Sequence, residues 1–269
     1  MKTRLAAVLV LMSALATGVA NAQAPKPLRI GVEGAYPPFS QVGPDGKLTG
    51  FDIDIANALC AEMKVECTLV QQSFDGLIPA LQAKKIDAII ASLSITEERA
   101  KVVAFSDKYY QTPARFVARL FSKLEMTPEG LKGKRIGVQR STTHDRYATE
   151  QLKGAETVRY TQQDDAFLDL AAGRIDVALV DSIAASVGFL KTSVGWGYKF
   201  IGPNLTDAKY FGDGAGIAMR KADGALRNQF NAAIKSIRSN GIYKKIQDKY
   251  FDFDVYAGNV TAPADKAKK

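Results

Sequence analysis

Histidine, cysteine and long apolar runs are scarce in this chain, and their scarcity narrows the possible functions. The 269 residues include one His and two Cys. Because zinc sites use sets of Cys and His ligands, these counts argue against such a site, and we expect no metal and no cofactor. A Ser-His-Asp hydrolase would have to use His144, and no nucleophile-elbow pattern surrounds any Ser.

The single long apolar run lies at the N-terminus. Lys2 and Arg4 precede an apolar stretch over about 5–15, and Ala20-Asn21-Ala22 follows with the small-x-small pattern of a cleavage site. This order predicts a signal peptide over 1–22, with a structural N-terminal helix as the alternative. No later segment approaches the roughly 18 apolar residues of a membrane span. We therefore expect the mature chain outside the cytoplasm.

The charge is mildly basic and spread along the chain. The formal net charge of +8 falls by two, to +6, when Lys2 and Arg4 are removed. We find no basic stripe with interleaved aromatic residues, so we expect no nucleic acid partner. Three lysines after Pro263 mark a flexible tail over 261–269. Cys60 and Cys67 form an even pair, which in an oxidising compartment favours a disulfide.

Strand-like and helix-like segments alternate along the chain. Short apolar runs at 28–32, 65–70, 86–91, 135–138 and 157–160 predict strands, and helical periodicity lies between them. This alternation predicts an α/β fold with mainly parallel sheets. The segment 81–92 also resembles 170–181, a repeat at a distance of about 90 residues that suggests two lobes of like construction. Ser92 and Asp181 end these segments, at the strand ends where open α/β sheets bind ligands.

Two stretches could bind a carboxylate. Ser94 and Glu97 form a capping-box pattern that predicts a short helix carrying Arg99, and a helix N-terminus beside a guanidinium suits an anion. An ordinary cap with a solvated Arg99 is the alternative. Ser141, Thr142 and Thr143 follow a strand and open a second helix, which gives a second potential anion site.

Acidic and aromatic residues could bind a cation. Asp181 ends an apolar strand, so a ligand ammonium would be a suitable partner; a helix N-cap is the alternative. Glu33 ends the first strand, with Tyr36 and Phe74 predicted at the same sheet edge. Two aromatic rings beside a carboxylate suit a guanidinium or a long ammonium chain. The alternative is two core aromatics and a surface Glu.

The sequence resembles the periplasmic lysine/arginine/ornithine- and histidine-binding proteins of ABC importers, and is most similar to their arginine/ornithine-binding members. The marker segments are GFDIDI at 50–55, FDGLIPAL at 74–81, SLSIT at 92–96, DAKYFG at 207–212 and KYFDFDVY at 249–256. The resemblance covers 29–256. It implies a type II (Venus-flytrap) architecture of two lobes and the Cys60–Cys67 disulfide. It also implies a monomer in the periplasm without enzymatic activity. This monomer would bind a cationic amino acid and have a membrane permease as its partner.

The resemblance also implies roles for individual residues. It assigns the ligand carboxylate to Arg99 with backbone N–H groups of Ser94 and Thr143. The α-ammonium goes to Asp181, with Ser92 and Ser94 as further acceptors. The ligand side chain would lie between Tyr36 and Phe74 and reach Glu33, where the family often has Asp. Further ligand-binding residues are expected at Ala91, Gln139, Thr142 and His144. His144 is expected on the helix surface near the cleft rather than as a titrating switch.

The resemblance places lobe 1 at 23–110 and 215–260, lobe 2 at 115–205, and hinge segments at 111–114 and 206–214. Gly212, Gly214 and Gly216 would allow the second hinge to bend.

Two other functions stay open: an enzyme on the same fold, similar to cyclohexadienyl dehydratase, and an amino-acid sensor or adhesin. An enzyme would need an acid or base in the cleft, which only Glu33, Asp181 or His144 could supply.

Overall fold

The computed structural model describes residues 26–257. The predicted signal peptide at 1–22, the tail at 261–269 and the outermost residues assigned to lobe 1, 23–25 and 258–260, lie outside the described residues.

The described chain alternates short strands and helices, as the sequence predicts. The strands are β1 (Leu28–Val32), β2 (Ala35–Tyr36), β3 (Ser40–Val42), β4 (Leu48–Thr49), β5 (Cys67–Gln71), β6 (Ala88–Ile89), β7 (Ala104–Tyr110), β8 (Ala114–Arg119), β9 (Arg135–Gln139), β10 (Glu156–Tyr160), β11 (Val177–Asp181), β12 (Tyr198–Leu205) and β13 (Ala215–Met219). The α-helices are α1 (Phe51–Met63), α2 (Phe74–Gln82), α3 (Glu97–Ala100), α4 (Thr143–Gln151), α5 (Gln163–Ala171), α6 (Ser182–Ala185), α7 (Ala208–Phe211), α8 (Gly224–Ser239) and α9 (Ile242–Tyr250). A π-helical turn over Ser186–Leu190 and a 3₁₀ turn over Val194–Gly197 follow α6.

Two five-stranded sheets organise the fold. The first has the order β5-β1-β6-β13-β7 and the second the order β10-β9-β11-β8-β12. β11 and β13 are buried at every residue, which explains why their side chains are apolar apart from Asp181 at the end of β11. A three-stranded sheet, β2-β3-β4, lies beside the first. The α/β fold class predicted from the sequence is confirmed.

Both large sheets are mixed rather than mainly parallel. β1 pairs in parallel with β5 and β6, whereas β13 runs antiparallel to β6 and β7. In the second sheet β9 pairs in parallel with β10 and β11, and β8 runs antiparallel to β11 and β12. The antiparallel pairs occur where the chain leaves one sheet for the other or returns.

The chain passes between the sheets twice, between β7 and β8 and between β12 and β13. Gly212 lies in the second passage with φ +74°, and a Cβ there would lie 2.1 Å from the carbonyl oxygen of Ile95. A larger residue would therefore displace the passage from the first sheet.

Helices pack their apolar faces on these sheets. In α8 the buried residues Phe230, Ala233, Ile234 and Ile237 recur at helical spacing, as the sequence predicts. At the far end of α1, Cys60 is joined to Cys67 of β5, so the predicted disulfide is confirmed. Within 26–257, no helix is long and apolar enough to cross a membrane.

Candidate functional site

Two adjoining cavities lie where strand ends of the two sheets face each other. The free space inside them is small, about 70 and 30 Å³. Both are lined by Tyr36, Ser92, Ser94, Thr143 and His144. The larger cavity adds Asp181, and the smaller adds Glu33, Phe74, Arg99, Gln139 and Thr142. The cavities thus bring together all of the predicted ligand-binding residues except Ala91.

Asp181 lies at the end of β11 and is 8% exposed. Its Oδ1 accepts hydrogen bonds from the backbone N–H groups of Ile183 and Ala184 at 2.8 and 3.0 Å, which caps α6. Its Oδ2 accepts a hydrogen bond from the hydroxyl of Thr112. Burial raises the pKa of Asp181 to about 6. Asp181 therefore combines the two roles that the sequence left open, a helix cap and a cavity-lining acid.

Ser92 lies beyond β6 and is oriented by a buried acid. Its Oγ donates to Asp52 Oδ2 at 2.9 Å, and the hydroxyl of Tyr109 donates to Asp52 Oδ1 at 2.8 Å. Because its hydrogen is used in this bond, the Ser92 oxygen is left as an acceptor at the cavity. Burial raises the pKa of Asp52 to about 7. An ammonium group is the kind of donor that this arrangement suits.

Arg99 joins the two sheet regions. Its guanidinium donates to the carbonyl oxygen of Ser94 at 3.0 Å and to that of Ser141 at 3.1 Å, and it lies 5.5 Å from the ring centre of Phe74. Burial lowers the pKa of Arg99 to about 10, so the side chain stays charged at neutral pH. Since neither bond is to an acid, its charge is available for a carboxylate.

Ser141 and Thr142 form the turn into α4. Thr142 caps the helix, because the backbone N–H of Asp145 donates to its Oγ1 at 3.1 Å. Ser141 has φ +62°, a conformation that Gly adopts more easily. The turn therefore keeps the backbone shape that a Gly would favour, although the residue is Ser.

Glu33 is only 5% exposed, which excludes the surface position that the sequence left open. The amide nitrogen of Gln139 donates to its Oε1 at 2.5 Å. Burial raises the pKa of Glu33 to about 7, although the bond from Gln139 opposes this rise. A cation at this end of the cavity would favour the ionised form.

His144 lies near the cleft, on a partly buried face of α4. It is half-buried, lines both cavities and lies 6.0 Å from the ring of Phe211. Its helix, α4, packs against α7, and Phe211 of α7 lines the larger cavity with it. Burial and the charge of Arg99 lower the pKa of His144 to about 3, so the ring is neutral at neutral pH.

Ala91 is buried in a core cluster with Phe74 and Leu77 and does not line either cavity, and its role in ligand binding stays a prediction. The capping box predicted for Ser94 and Glu97 is wrong. Thr96 caps α3 instead, while the backbone of Ser94 forms a β-bridge that holds it at the sheet edge.

Sequence reasoning missed Asp52 and Thr112, which orient Ser92 and Asp181. Asp52 lies within a marker segment at the start of α1, but nothing in its local pattern distinguishes it from an ordinary first-turn acid. Thr112 precedes Pro113 in the first passage between the sheets. Only its position beside a strand end distant in sequence reveals its contact.

Comparisons with known proteins agree with this architecture. The sequence profile of the bacterial extracellular solute-binding proteins, family 3, matches residues 28–253. The L-arginine-binding protein of Pseudomonas aeruginosa is 57% identical over 256 residues, which cover 93% of this chain and 99% of that protein. The histidine-binding periplasmic protein of Escherichia coli K12 is 48% identical over 241 residues, which cover 89% of this chain and 93% of that protein.

A solved structure gives the same result for the fold. The periplasmic binding protein of Salmonella typhimurium described for its high arginine specificity superimposes with a TM-score of 0.78. It is 37% identical, and the match covers 84% of this chain and 100% of that one.

Proposed function

The chain belongs to the bacterial extracellular solute-binding proteins, family 3, and from this premise we propose that it captures a cationic L-amino acid in the periplasm. Arginine or ornithine is the first choice, with lysine and histidine as further candidates. The expectation that the chain is a binding protein and not an enzyme is confirmed by its family and relatives. We further propose that it acts as a monomer and delivers its ligand to the membrane permease of an ABC importer.

The charge pattern of the cavities carries this proposal. Glu33 and Asp181 are buried acids that form no salt bridge with an arginine or lysine among the described residues, and Arg99, which lines the cavity, forms none with an acid there. A cationic amino acid carries two positive groups and one carboxylate, which complement these three side chains. Buried charges are tolerated when each has a partner.

The assignment of ligand groups follows from these positions. Arg99 and the backbone at the start of α4 would hold the carboxylate. Asp181, with the acceptor oxygen of Ser92, would hold the α-ammonium. The ligand side chain would extend between Tyr36 and Phe74, both of which line the smaller cavity with Glu33. A ligand lacking the distal cation would leave Glu33 buried and unpaired, which disfavours neutral amino acids.

Movement of two lobes about the crossings would admit and release the ligand. We assign the lobes to 23–110 with 215–260 and to 115–205, with hinges at 111–114 and 206–214. Ion pairs cross the cleft at Arg140 to Asp75, 3.8 Å apart, and at Arg146 to Glu98, 3.2 Å apart. These exposed pairs would add only a small preference for the closed form. Ligand bridging both lobes would shift the balance further.

Thermal unfolding and titration calorimetry test the proposal. The mature chain, unfolded and refolded to remove bound ligand, is mixed in turn with arginine, ornithine, lysine, histidine, glutamine and glutamate. Ligand at about 100 times its dissociation constant should add roughly 2.7 kcal/mol to the free energy of unfolding. Stabilisation by cationic amino acids alone supports the proposal. No response to any of them, or a response to glutamate, would contradict it.

A matched pair of variants links the response to the site. Asp181→Asn keeps an oxygen that can cap α6 but removes the negative charge, so arginine binding should fall strongly while the fold survives. Asp169→Asn changes an exposed pair with Arg174 outside the cavities and should leave binding unchanged. Equal binding by both variants would contradict the assignment of the α-ammonium.

A further inference from the structure

The side-chain amide of Gln139 connects the end of β9 to the end of β1. Its Nε2 donates to Glu33 Oε1 at 2.5 Å and to the carbonyl oxygen of Thr161 at 3.2 Å. Gln139 is 2% exposed and lies opposite Tyr160 in the pairing of β9 with β10. The amide is therefore held by its backbone, by its burial and by two hydrogen bonds.

This arrangement uses both hydrogens of the amide nitrogen. One anchors the side chain to its own sheet through Thr161, and the other holds one oxygen of the Glu33 carboxylate. The second carboxylate oxygen accepts no hydrogen bond from any described residue. The Gln139 side-chain oxygen remains as a neighbouring acceptor. Glu33 and Gln139 thus form a hydrogen-bonded pair, and both side chains line the smaller cavity.

A guanidinium and an ammonium differ in the hydrogen bonds that they can donate to such a pair. A guanidinium is planar and presents several N–H donors in a rigid fork, whereas an ammonium is a compact point charge with rotating donors. Fixing the carboxylate therefore benefits the guanidinium more, because bidentate bonds depend on orientation. We propose that Gln139 is a positioning residue for Glu33 and makes the site prefer arginine to ornithine and lysine. This inference rests on the proposed function and adds a ranking within the same ligand class.

The surroundings of Glu33 give the proposal a second readout. Burial and, to a smaller extent, the carboxylates of Asp52, Asp164 and Asp75 raise its pKa, and the hydrogen bond from Gln139 lowers it. Arg99 and the neutral His144 line the same cavity. A cationic ligand needs ionised Glu33, so affinity falls as the pH falls through its pKa. Without Gln139 that pKa rises further, and the loss of affinity should begin at a higher pH.

Titration calorimetry of Gln139→Met with arginine, ornithine and lysine at pH 6, 7 and 8 tests this. Met has a similar shape but cannot donate to Glu33. Arginine affinity at pH 7 should fall about 10- to 100-fold, as for the loss of a hydrogen bond to a charged group. The affinities for ornithine and lysine should fall clearly less. From pH 8 to pH 6, the affinity for arginine should fall more steeply in the variant than in the wild type.

Gln247→Met is the matched control. Gln247 is also buried, and its Oε1 accepts a hydrogen bond from the backbone N–H of Val255 at 3.1 Å, away from both cavities. This variant should lose stability but keep the wild-type ranking of ligands. If Gln139→Met does not fold, Gln139→Asn replaces it, because its shorter amide cannot reach Glu33.

The outcomes separate this proposal from the function on which it rests. An equal loss for all three ligands with an unchanged pH profile would show that Gln139 acts only in folding and would overturn the inference. Wild-type protein that binds ornithine or lysine as tightly as arginine would overturn it too, while leaving the proposed function intact. Wild-type protein that binds none of them would contradict the proposed function itself.

Discussion

The hydroxyl of Thr112 donates a hydrogen bond to Asp181 Oδ2. Thr112 belongs to the first passage between the two sheets, and Asp181 ends β11 at the larger cavity. The other oxygen of Asp181 caps α6 through Ile183 and Ala184. The acid proposed for the ligand α-ammonium is therefore fixed on one side by its own sheet and on the other by a crossing segment.

Replacement of Thr112 by Val should weaken arginine binding. Val keeps the shape of the side chain but lacks the hydroxyl donor. Asp181 therefore loses the hydrogen bond that lowers its pKa in the wild type. We expect an affinity loss of about tenfold, the order of one hydrogen bond to a charged group. Titration calorimetry measures it. Thr112→Ser keeps a hydroxyl and should bind as the wild type does; equal losses in both variants would implicate packing instead.

Ligand-free protein should become more stable as the pH falls from about 7.5 to about 5. The pKa values of Glu33 and Asp52 are raised to about 7 and that of Asp181 to about 6, from ordinary values of 4.5, 3.8 and 3.8. In this window the folded form holds more protons than the unfolded form, so the free energy of unfolding rises as the pH falls. At about 1.4 kcal/mol for each pKa unit, the three shifts together imply a gain of several kcal/mol, measured by denaturant unfolding.

Saturating arginine should reverse that trend, because it binds the ionised acids and is lost as they take up protons. Glu33→Gln, which cannot ionise, should flatten the pH dependence of the ligand-free protein. Ligand-free stability that instead rises from pH 5 to pH 7.5 would show that these acids do not carry raised pKa values in the folded state.

Replacement of Arg99 by Lys should weaken binding although the charge is kept. The guanidinium of Arg99 holds the carbonyl oxygens of Ser94 and Ser141 and still presents donors to the cavity. An ammonium cannot reproduce this planar arrangement, and we expect a loss of about 10- to 100-fold. Arg174→Lys, at an exposed pair with Asp169, is the control and should bind normally.

Replacement of Cys60 and Cys67 by Ala should lower stability without changing affinity. The disulfide closes a loop with a sequence separation of 7 residues, and neither cysteine lines a cavity. The loop-entropy treatment gives a loss of roughly 2–3 kcal/mol, or about 5–10 °C in Tm for a chain of this size. Calorimetric unfolding and titration are the two measurements. A change in affinity would show that the bridge affects the cleft.

Replacement of Ser141 by Gly should stabilise the ligand-free protein slightly. Ser141 has φ +62°, which costs a residue with a Cβ about 1–2 kcal/mol, whereas Gly adopts it freely but gains freedom when unfolded. The net gain should be about 0.5–1 kcal/mol, measured by denaturant unfolding. Thr142→Gly, at the helix cap, should destabilise instead, because it removes the side-chain bond to Asp145.

Local patterns in the sequence determined the elements and the identity of many cavity residues. The apolar runs predicted β1 and β9, the helical stripe predicted α8, and the even cysteine pair predicted the disulfide. The two similar segments 81–92 and 170–181 end in Ser92 and Asp181. These residues were predicted to bind ligand because open α/β sheets bind ligands at such strand ends. Helix-start patterns pointed to Arg99 and Thr143, and the family resemblance added Gln139 and His144; these residues also line the cavities.

Errors in the prediction arose where the local pattern had two solutions. Ser94 and Thr96 are both able to cap a helix, and pairing of Ser94 with the sheet decided in favour of Thr96. The apolar run over 86–91 forms a strand only at Ala88–Ile89, although buried side chains continue beyond it. The expected mainly parallel order failed because β8 and β13 follow the crossings and enter their sheets in the opposite direction.

The sequence by itself determined the repeating α/β units, the disulfide and the supply of acids, hydroxyls and guanidinium at strand ends. Only the tertiary structure decided which of these groups touch. Three hydrogen bonds of the site join residues that are far apart in the sequence. The separations are 106 residues for Glu33 and Gln139, 69 for Thr112 and Asp181, and 42 for Arg99 and Ser141. These contacts depend on how the two crossings set one sheet against the other, and that placement has no period or motif in the local sequence.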